Sequence, residues 1–173
     1  MQNYHVYESL SWLNALRDDD ARKTLLDCCG STEWARRMSE KRPFRMIEDL
    51  FEAASKVWFA LSRADQLEAY AAHPKIGGKA ATTGRRSSKW SAGEQSSIKT
   101  ADKVILEQLA EANSLYEKKF GFIFIVFATG KTADEMLAIC KARLRNSVET
   151  ELELAAEEQQ KITELRLTKL LEK

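Results

Sequence analysis

This chain is short of residues that break helices. Its 173 residues include two prolines and seven glycines. A β-sandwich would need a turn every ~8–12 residues, so this scarcity favours long helices. Cysteine is also sparse. Three cysteines, two of them adjacent (Cys28, Cys29 and Cys140), make an odd count that does not suit a disulfide framework and fits a reducing compartment. Two histidines and no Cys-x-x-Cys argue against a zinc site. Charge of one sign is missing as well. Lys and Arg number 27 against 26 Asp and Glu, so the chain carries no bulk electrostatic footprint for nucleic acid or an anionic membrane. The longest apolar run, Phe122 to Ala128, is seven residues, far below the ~20 that span a bilayer. Met-Gln-Asn-Tyr-His lacks the basic and then apolar regions of a signal peptide, and Leu-Glu-Lys is no targeting tripeptide, so the expectation is a cytoplasmic protein. What is present suffices for a core: 44% of residues are hydrophobic and 31% charged, a globular balance, and the length suits one domain of residues 1–173.

Helical spacing recurs along the chain. Leu10, Leu13 and Leu16 mark a short segment from Ser9. Asp18-Asp19-Asp20 open a second, where carboxylates suit a helix N-terminus, and Gly30 offers it a stop. Ser31 can cap a third through about Lys41. Pro43 is expected to open a fourth, with Phe44, Ile47, Leu50, Phe51, Ala54, Val57, Trp58 and Leu61 on one face. Ser62 with Asp65 caps a helix over Ala64–Ala72, and Pro74 ends it. Residues 77–90 then form a basic, glycine- and serine-rich loop of about fourteen residues, near the ~12–15 at which loops tend to be functional or disordered. Ser91 to Lys119 reads as one long helix, broken at Phe120-Gly121. The run Phe122–Ala128 is buried, and its pattern fits strand or helix. Thr132 with Glu135 forms a capping box for a helix to about Arg145, and a last helix covers about Val148–Leu171. The fold class is all-α.

Few residues invite chemistry. His73 stands at a helix end, against a proline and beside the polar loop, where an imidazole can be held in one pose and titrate near neutrality. A histidine favouring the helix dipole is the plainer reading. Ser91-x-x-Glu94-Gln95 is a capping box, and the same helix N-terminus offers N–H groups to an anion such as a substrate carboxylate. Arg143 reads as a solvated surface charge. Arg166, between Leu165 and Leu167, borders an apolar face. Arg85 and Arg86 contact an anion or solvate the loop. The cysteines read as small buried hydrophobes, and Trp12, Trp34, Trp58, Met38, Met46 and Met136 as core. These residues alone outline a polar site and no reaction.

The order of the segments is more specific. Cys29-Gly30-Ser31 with Trp34; Arg42-Pro43-Phe44; Gln66 through His73-Pro74-Lys75-Ile76-Gly77; Ser91-Ala92-Gly93-Glu94-Gln95; Tyr116 through Ile125; Ala128-Thr129-Gly130-Lys131; Arg143 through Asn146; and Ile162 through Leu167 follow one another over nearly the whole chain. In this succession the sequence resembles the OHCU decarboxylases, which act on 2-oxo-4-hydroxy-4-carboxy-5-ureidoimidazoline in urate breakdown. The resemblance implies a cofactor-free, metal-free helical enzyme, commonly dimeric, taking a small-molecule substrate and no nucleic acid or membrane. It also implies functional coupling to urate oxidase and hydroxyisourate hydrolase. It maps the family's catalytic histidine onto His73 and its catalytic glutamate onto Glu94. Pro74, Ser91, Ala92, Gly93, Gln95, Phe124, Ile125, Val126, Phe127, Ala128 and Arg166 map onto the substrate site.

The implied chemistry needs no cofactor. The substrate's own C=N and carbonyl system can accept the electron pair left by CO2, and the protein must orient the carboxylate, exclude water and guide one proton to one face. His73 as imidazolium would guide or supply that proton, Glu94 would hold the 4-hydroxyl, and Arg166 would bond the ligand. Backbone N–H groups of Phe124–Ala128 would bind ring oxygens, which requires an irregular segment and not a strand. The product implied is (S)-allantoin. Gly78, Ile123 and the stretch 79–90 depart from the family pattern. Two other readings stand beside this one: a helical binding module that lost the chemistry, and a decarboxylase of a related ureido or heterocyclic acid.

Overall fold

A computed structural model describes residues 2–76, 90, 93, 94, 96 and 101–172, with side chains from residue 8 onward. Expectations placed on Ser91, Ala92, Gln95 and the loop 77–89 lie outside the described residues. Among the described residues every regular element longer than a turn is a helix: α1 (Gln2–Ala15), α2 (Asp18–Cys28), α3 (Thr32–Glu40), α4 (Ile47–Phe59), α5 (Arg63–Ala71), α6 (Lys103–Phe120), α7 (Ala133–Arg143) and α8 (Val148–Leu171). None of them is long and apolar enough to cross a membrane. The chain divides into two compact units, one of Met1–Ala69 with Gln160–Lys173 and one of Tyr70–Gln159.

In the first unit α2 packs on α3, α3 on α4 and α1 on α4. Ser31 caps α3, its side chain accepting from the Trp34 N–H, and Trp34 donates its indole N–H to Ala54 O at 3.1 Å. Trp34, Trp58, Met38, Leu25 and Leu50 are buried around this contact. Arg42 ties the helix ends together. Its guanidinium donates to Leu13, Asn14 and Leu16 carbonyls at 2.7–3.2 Å, bonds Ser39 O, and pairs with Asp18 at 2.8 Å. A cation at the carbonyl end of α1 is where the helix dipole favours one.

Several expectations are corrected here. Pro43 does not open α4; the Arg42–Pro43 peptide is cis, and the helix starts at Ile47. The Asn14 side-chain amide holds Phe44 by both backbone groups, at 2.8 and 2.9 Å, while Asp49 accepts the Met46 N–H at 3.1 Å. Phe44 is therefore buried beside α4 and not on its face. Gly30 is not the left-handed stop of α2, which ends on an extended Cys29. Trp12 and Met46 are 42% and 50% exposed and do not belong to the core.

In the second unit the long helix expected from Ser91 is interrupted. Trp90, Gly93 and Glu94 have helical backbone, but Ala101 bends and Asp102 is extended. The Asp102 carboxylate accepts from the Val104 N–H at 2.8 Å and starts α6 afresh, an aspartate's usual preference for a cap over a helix interior. Gly121 ends α6 at φ 80°, its N–H on Glu117 O at 2.8 Å. α7 begins with the expected box, Thr132 accepting from Glu135 N–H and Glu135 from Thr132 N–H.

Candidate functional site

The site builds from the end of α5. The His73 N–H bonds Tyr70 O at 3.1 Å as the helix closes, and Pro74 prevents its continuation. His73 and Pro74 are half-buried. The His73 Nε2 lies 2.7 Å from the Oε1 of Gln159, a fully buried side chain of α8. Lys75, two residues on, is paired with Glu117 at 2.6 Å. Glu94 is half-buried on helical backbone.

Residues 121–128 have no regular structure, which resolves the open question about the apolar run. A chain segment buried without ladder partners must bond its backbone elsewhere, and side chains from α7, α8 and the turn before α7 supply those bonds. Arg143 donates to Ile125 O at 2.8 Å, Glu158 accepts from the Phe127 N–H at 2.6 Å, and Lys131 Nζ donates to Phe127 O at 2.7 Å. The Phe127 N–H is thus committed to Glu158 and is not the donor the sequence reading offered to a ligand. A turn follows, Lys131 N–H on Ala128 O at 3.0 Å, with Gly130 at φ 79° in its third position, where a side chain would be strained.

Arg143 is the centre of this scaffold and no surface charge. It is 8% exposed, bonds Glu151 at 2.9 Å through Nε, and lies over the Phe124 ring at 4.9 Å. Tyr116 donates its phenol proton to Glu151 and accepts from Arg143 at 3.2 Å, and Asn146 donates to the other Glu151 oxygen at 2.7 Å. Burial works against the Arg143 charge, but the bonds to Glu151 and Tyr116 outweigh it and strengthen the guanidinium's hold on its proton. Burial, and then the Glu151 bond, raise the Tyr116 phenol well above its ordinary range. Phe122 and Phe124 set their edges against the Tyr116 ring at 5.8 and 5.3 Å. The Phe124–Ala128 backbone is thereby fixed without a strand.

Arg166 belongs to the other unit, where it is 4% exposed, in line with its expected place on an apolar border. Its charge acts on Cys29, whose thiol is pushed up to about 12 by burial against the opposing pull of the Ser31 backbone, the Thr163 side chain and Arg166. Such a thiol is no nucleophile. Cys28, Cys29 and Cys140 are all free and buried, as expected of small core residues. Among the described residues no cluster of His, Cys, Asp or Glu is built to hold a metal ion.

Gln159, Glu158 and Glu151 were missed in the sequence reading. A signal existed: Glu151, Ala155, Gln159, Ile162, Thr163 and Arg166 follow helical spacing along the buried stripe of α8, and four of these six are polar. Polar residues in a buried stripe must have partners, and partners imply a built site.

Comparison with known proteins gives concordant relatives. The OHCU decarboxylase family model matches residues 14–168. The uric acid degradation bifunctional protein TTL of Arabidopsis thaliana is 45% identical over 146 residues, which are 83% of this chain and 45% of the plant protein. The 2-oxo-4-hydroxy-4-carboxy-5-ureidoimidazoline decarboxylase of Haloferax volcanii is 28% identical over 92% of this chain and 94% of its own length. The chain thus spans under half of the plant relative and nearly all of the archaeal one. A crystal structure of OHCU decarboxylase in the presence of (S)-allantoin superposes with a TM-score of 0.77 at 42% identity, covering 87% of this chain and 99% of that one.

Proposed function

This chain belongs to the OHCU decarboxylase family, and we propose that it converts 2-oxo-4-hydroxy-4-carboxy-5-ureidoimidazoline to (S)-allantoin and CO2 without a cofactor, residues 1–173 acting as one decarboxylase domain. The observation that carries the proposal is a half-buried histidine held at a helix end by a buried side chain; the family resemblance maps the catalytic histidine onto this residue. The bond from C4 to the carboxylate breaks, CO2 leaves, and its electron pair forms a C4=C5 double bond as the C5=N pair passes to nitrogen, which takes a proton. The ureido-bearing C5 then gains a proton from one side while the 4-hydroxyl gives up its own and becomes the C4 carbonyl, which fixes the configuration at C5. His73 as imidazolium pairs with the substrate and guides or supplies this proton. Glu94 holds the 4-hydroxyl. Pro74 packs against the ligand, and Ser91, Ala92, Gly93 and Gln95 line it together with the Phe124–Ala128 segment. Donors of that segment other than the Phe127 N–H bind ring oxygens. Arg166 enters through the family resemblance, as a charge-assisted donor to the ligand.

Three buried free thiols fit a cytoplasmic protein, and a homodimer is the assembly we propose from the family resemblance. The plant relative's name, a bifunctional protein of uric acid degradation, supports coupling to urate oxidase and hydroxyisourate hydrolase.

The test uses substrate freshly made from urate by those two enzymes. Its loss is followed by ultraviolet absorbance, and the handedness of the product by circular dichroism. Fast decay to one enantiomer is expected, against slow racemic decay alone. His73→Asn should lower turnover by about 10²–10⁴-fold, the usual worth of a positioned acid–base group. Glu94→Gln separates catalysis from capping: glutamine also serves a capping box, so full activity in that variant would remove Glu94 from the mechanism. No acceleration by folded wild type would leave the binding-module reading or a related acid as substrate.

A further inference from the structure

The Gln159–His73 contact goes beyond the family positions. Gln159 sits in the interior of α8 with its side chain fully buried, 86 residues along the chain from the histidine it meets. Burying an amide is unfavourable unless it is bonded, so a glutamine here requires a partner, and the imidazole is one. The atom presented to Nε2 at 2.7 Å is the amide oxygen, Oε1. An amide oxygen only accepts, so Nε2 carries hydrogen in this arrangement.

We propose that Gln159 is a positioning residue that holds His73 with its proton on Nε2 in both charge states, which makes Nδ1 the nitrogen through which the ring exchanges its catalytic proton. The inference deepens the decarboxylase reading and rests on it for its catalytic part. An imidazolium has N–H on both nitrogens, and a neutral imidazole protonated at Nε2 has one. The same amide oxygen accepts from Nε2–H in either form, so the ring need not turn when it gives up a proton. In the reaction the Nδ1–H bond breaks as the ureido-bearing C5 of the enol left by CO2 loss forms its C–H bond, and the 4-hydroxyl releases its proton to water as it becomes the carbonyl. Neutral His73 stays bonded to Gln159 and regains its proton at Nδ1 from water. A neutral acceptor suits this cycle. A carboxylate in the same place would hold the ring as imidazolium and resist the transfer. The nearest acid on α8, Glu158, is engaged by the Phe127 N–H.

Two measurements on the full chain test this. The first needs no substrate: in 15N-labelled protein the His73 Nε2–H is expected as an exchange-protected imidazole resonance above and below the ring's titration, lost in Gln159→Met and kept in Gln159→Glu. The second is kinetic. Gln159→Met is expected to lower kcat by about a hundred-fold, as small misplacements of a catalytic group do, with KM within about two-fold. Gln159→Glu, which keeps the oxygen, should recover the pose but turn over more slowly than wild type. A bare Nε2 in neutral wild type would overturn the proposal, as would an Nε2–H that Gln159→Met leaves unaltered. So would a Gln159→Met enzyme with wild-type kcat. The wild-type spectrum stands even if Gln159→Met fails to fold. A protected Nε2–H in a protein that does not accelerate decarboxylation would sink the decarboxylase reading and leave the tautomer assignment intact. An active enzyme with a bare Nε2 would do the reverse.

Discussion

The two units bury polar groups by different means. In the unit of Met1–Ala69 with Gln160–Lys173, many of the polar bonds sit where helices end. Ser31 caps α3, the Asn14 amide holds Phe44, Arg42 gathers carbonyls from α1, and Glu68 takes the Thr32 N–H at 3.1 Å. In the unit of Tyr70–Gln159, side chains bond a stretch of chain with no regular structure, the buried Arg143 and the half-buried Glu158 chief among them. Helix-end bonds complete elements that already satisfy most of their own backbone. The bonds to residues 124–128 substitute for secondary structure. Damage to the first kind should cost stability alone, and damage to the second should cost stability and function together.

The largest effect is expected at the Arg143–Glu151 pair. Removing one partner of a buried ion pair typically costs about 3–5 kcal/mol, so Arg143→Leu should lower the denaturation midpoint steeply. Replacing both, Arg143→Leu with Glu151→Leu, removes the unpaired charge and should recover much of that stability. It leaves Ile125 O without its donor, so activity should not return with it. A double variant that is stable and fully active would abolish the distinction between the units.

Trp34→Phe is the matching break in the first unit. It removes the indole donor and leaves Ala54 O, an acceptor in the buried α3–α4 contact, without this partner, at about 1–3 kcal/mol. The midpoint of urea unfolding should fall while kcat and KM stay near wild type. A change in kcat as large as the change in stability would mean that this core reaches the site.

The same contrast explains what could be read in advance. Ser31, Ser62, the Thr132–Glu135 box and Gly121 signal their helix ends within three or four residues, so composition reveals them. Arg143 gives no such sign. Its partners stand 8, 18 and 27 residues away, and its burial follows from their convergence. Pro43 misled because its local preference for a first helical turn yields to the Asn14 amide 30 residues from Phe44. Asp102 was overlooked because apolar spacing continues through it, and its cap decides the boundary. The place of His73 before Pro74 suits a plain helix end as well as a site, and its catalytic reading came from the family resemblance, whereas Gln159 was hidden in a helix that reads as amphipathic.

A milder change should register in binding. Glu158→Gln keeps an oxygen for the Phe127 N–H and removes its charge, a loss of about 1 kcal/mol between charged and neutral acceptors. If the segment lines the substrate, KM should rise by up to about five-fold while the denaturation midpoint falls slightly. An unaltered KM alongside lowered stability would return Glu158 to a purely structural role.

The smallest effect belongs to α3, where the half-buried Glu33 bonds Arg36 and Arg37 at 2.8 and 2.6 Å. Those hydrogen bonds hold its carboxyl at about 2, below the ordinary 4.5. A depressed carboxylate contributes stability that is complete above the unfolded value and is lost as pH falls through the folded one. The Glu33 contribution should therefore be full above pH 4.5 and fade between 4.5 and 2. In Glu33→Gln this part of the acid limb should flatten, the two proteins' denaturation midpoints converging by pH 2. These three side chains are partly open to solvent, so ~1 M salt, with a screening length of ~3 Å, should erase most of the difference. The Arg143–Glu151 pair is shielded from solvent, and the loss caused by Arg143→Leu should persist in the same salt. Equal salt sensitivity of the two losses would show that burial does not separate them.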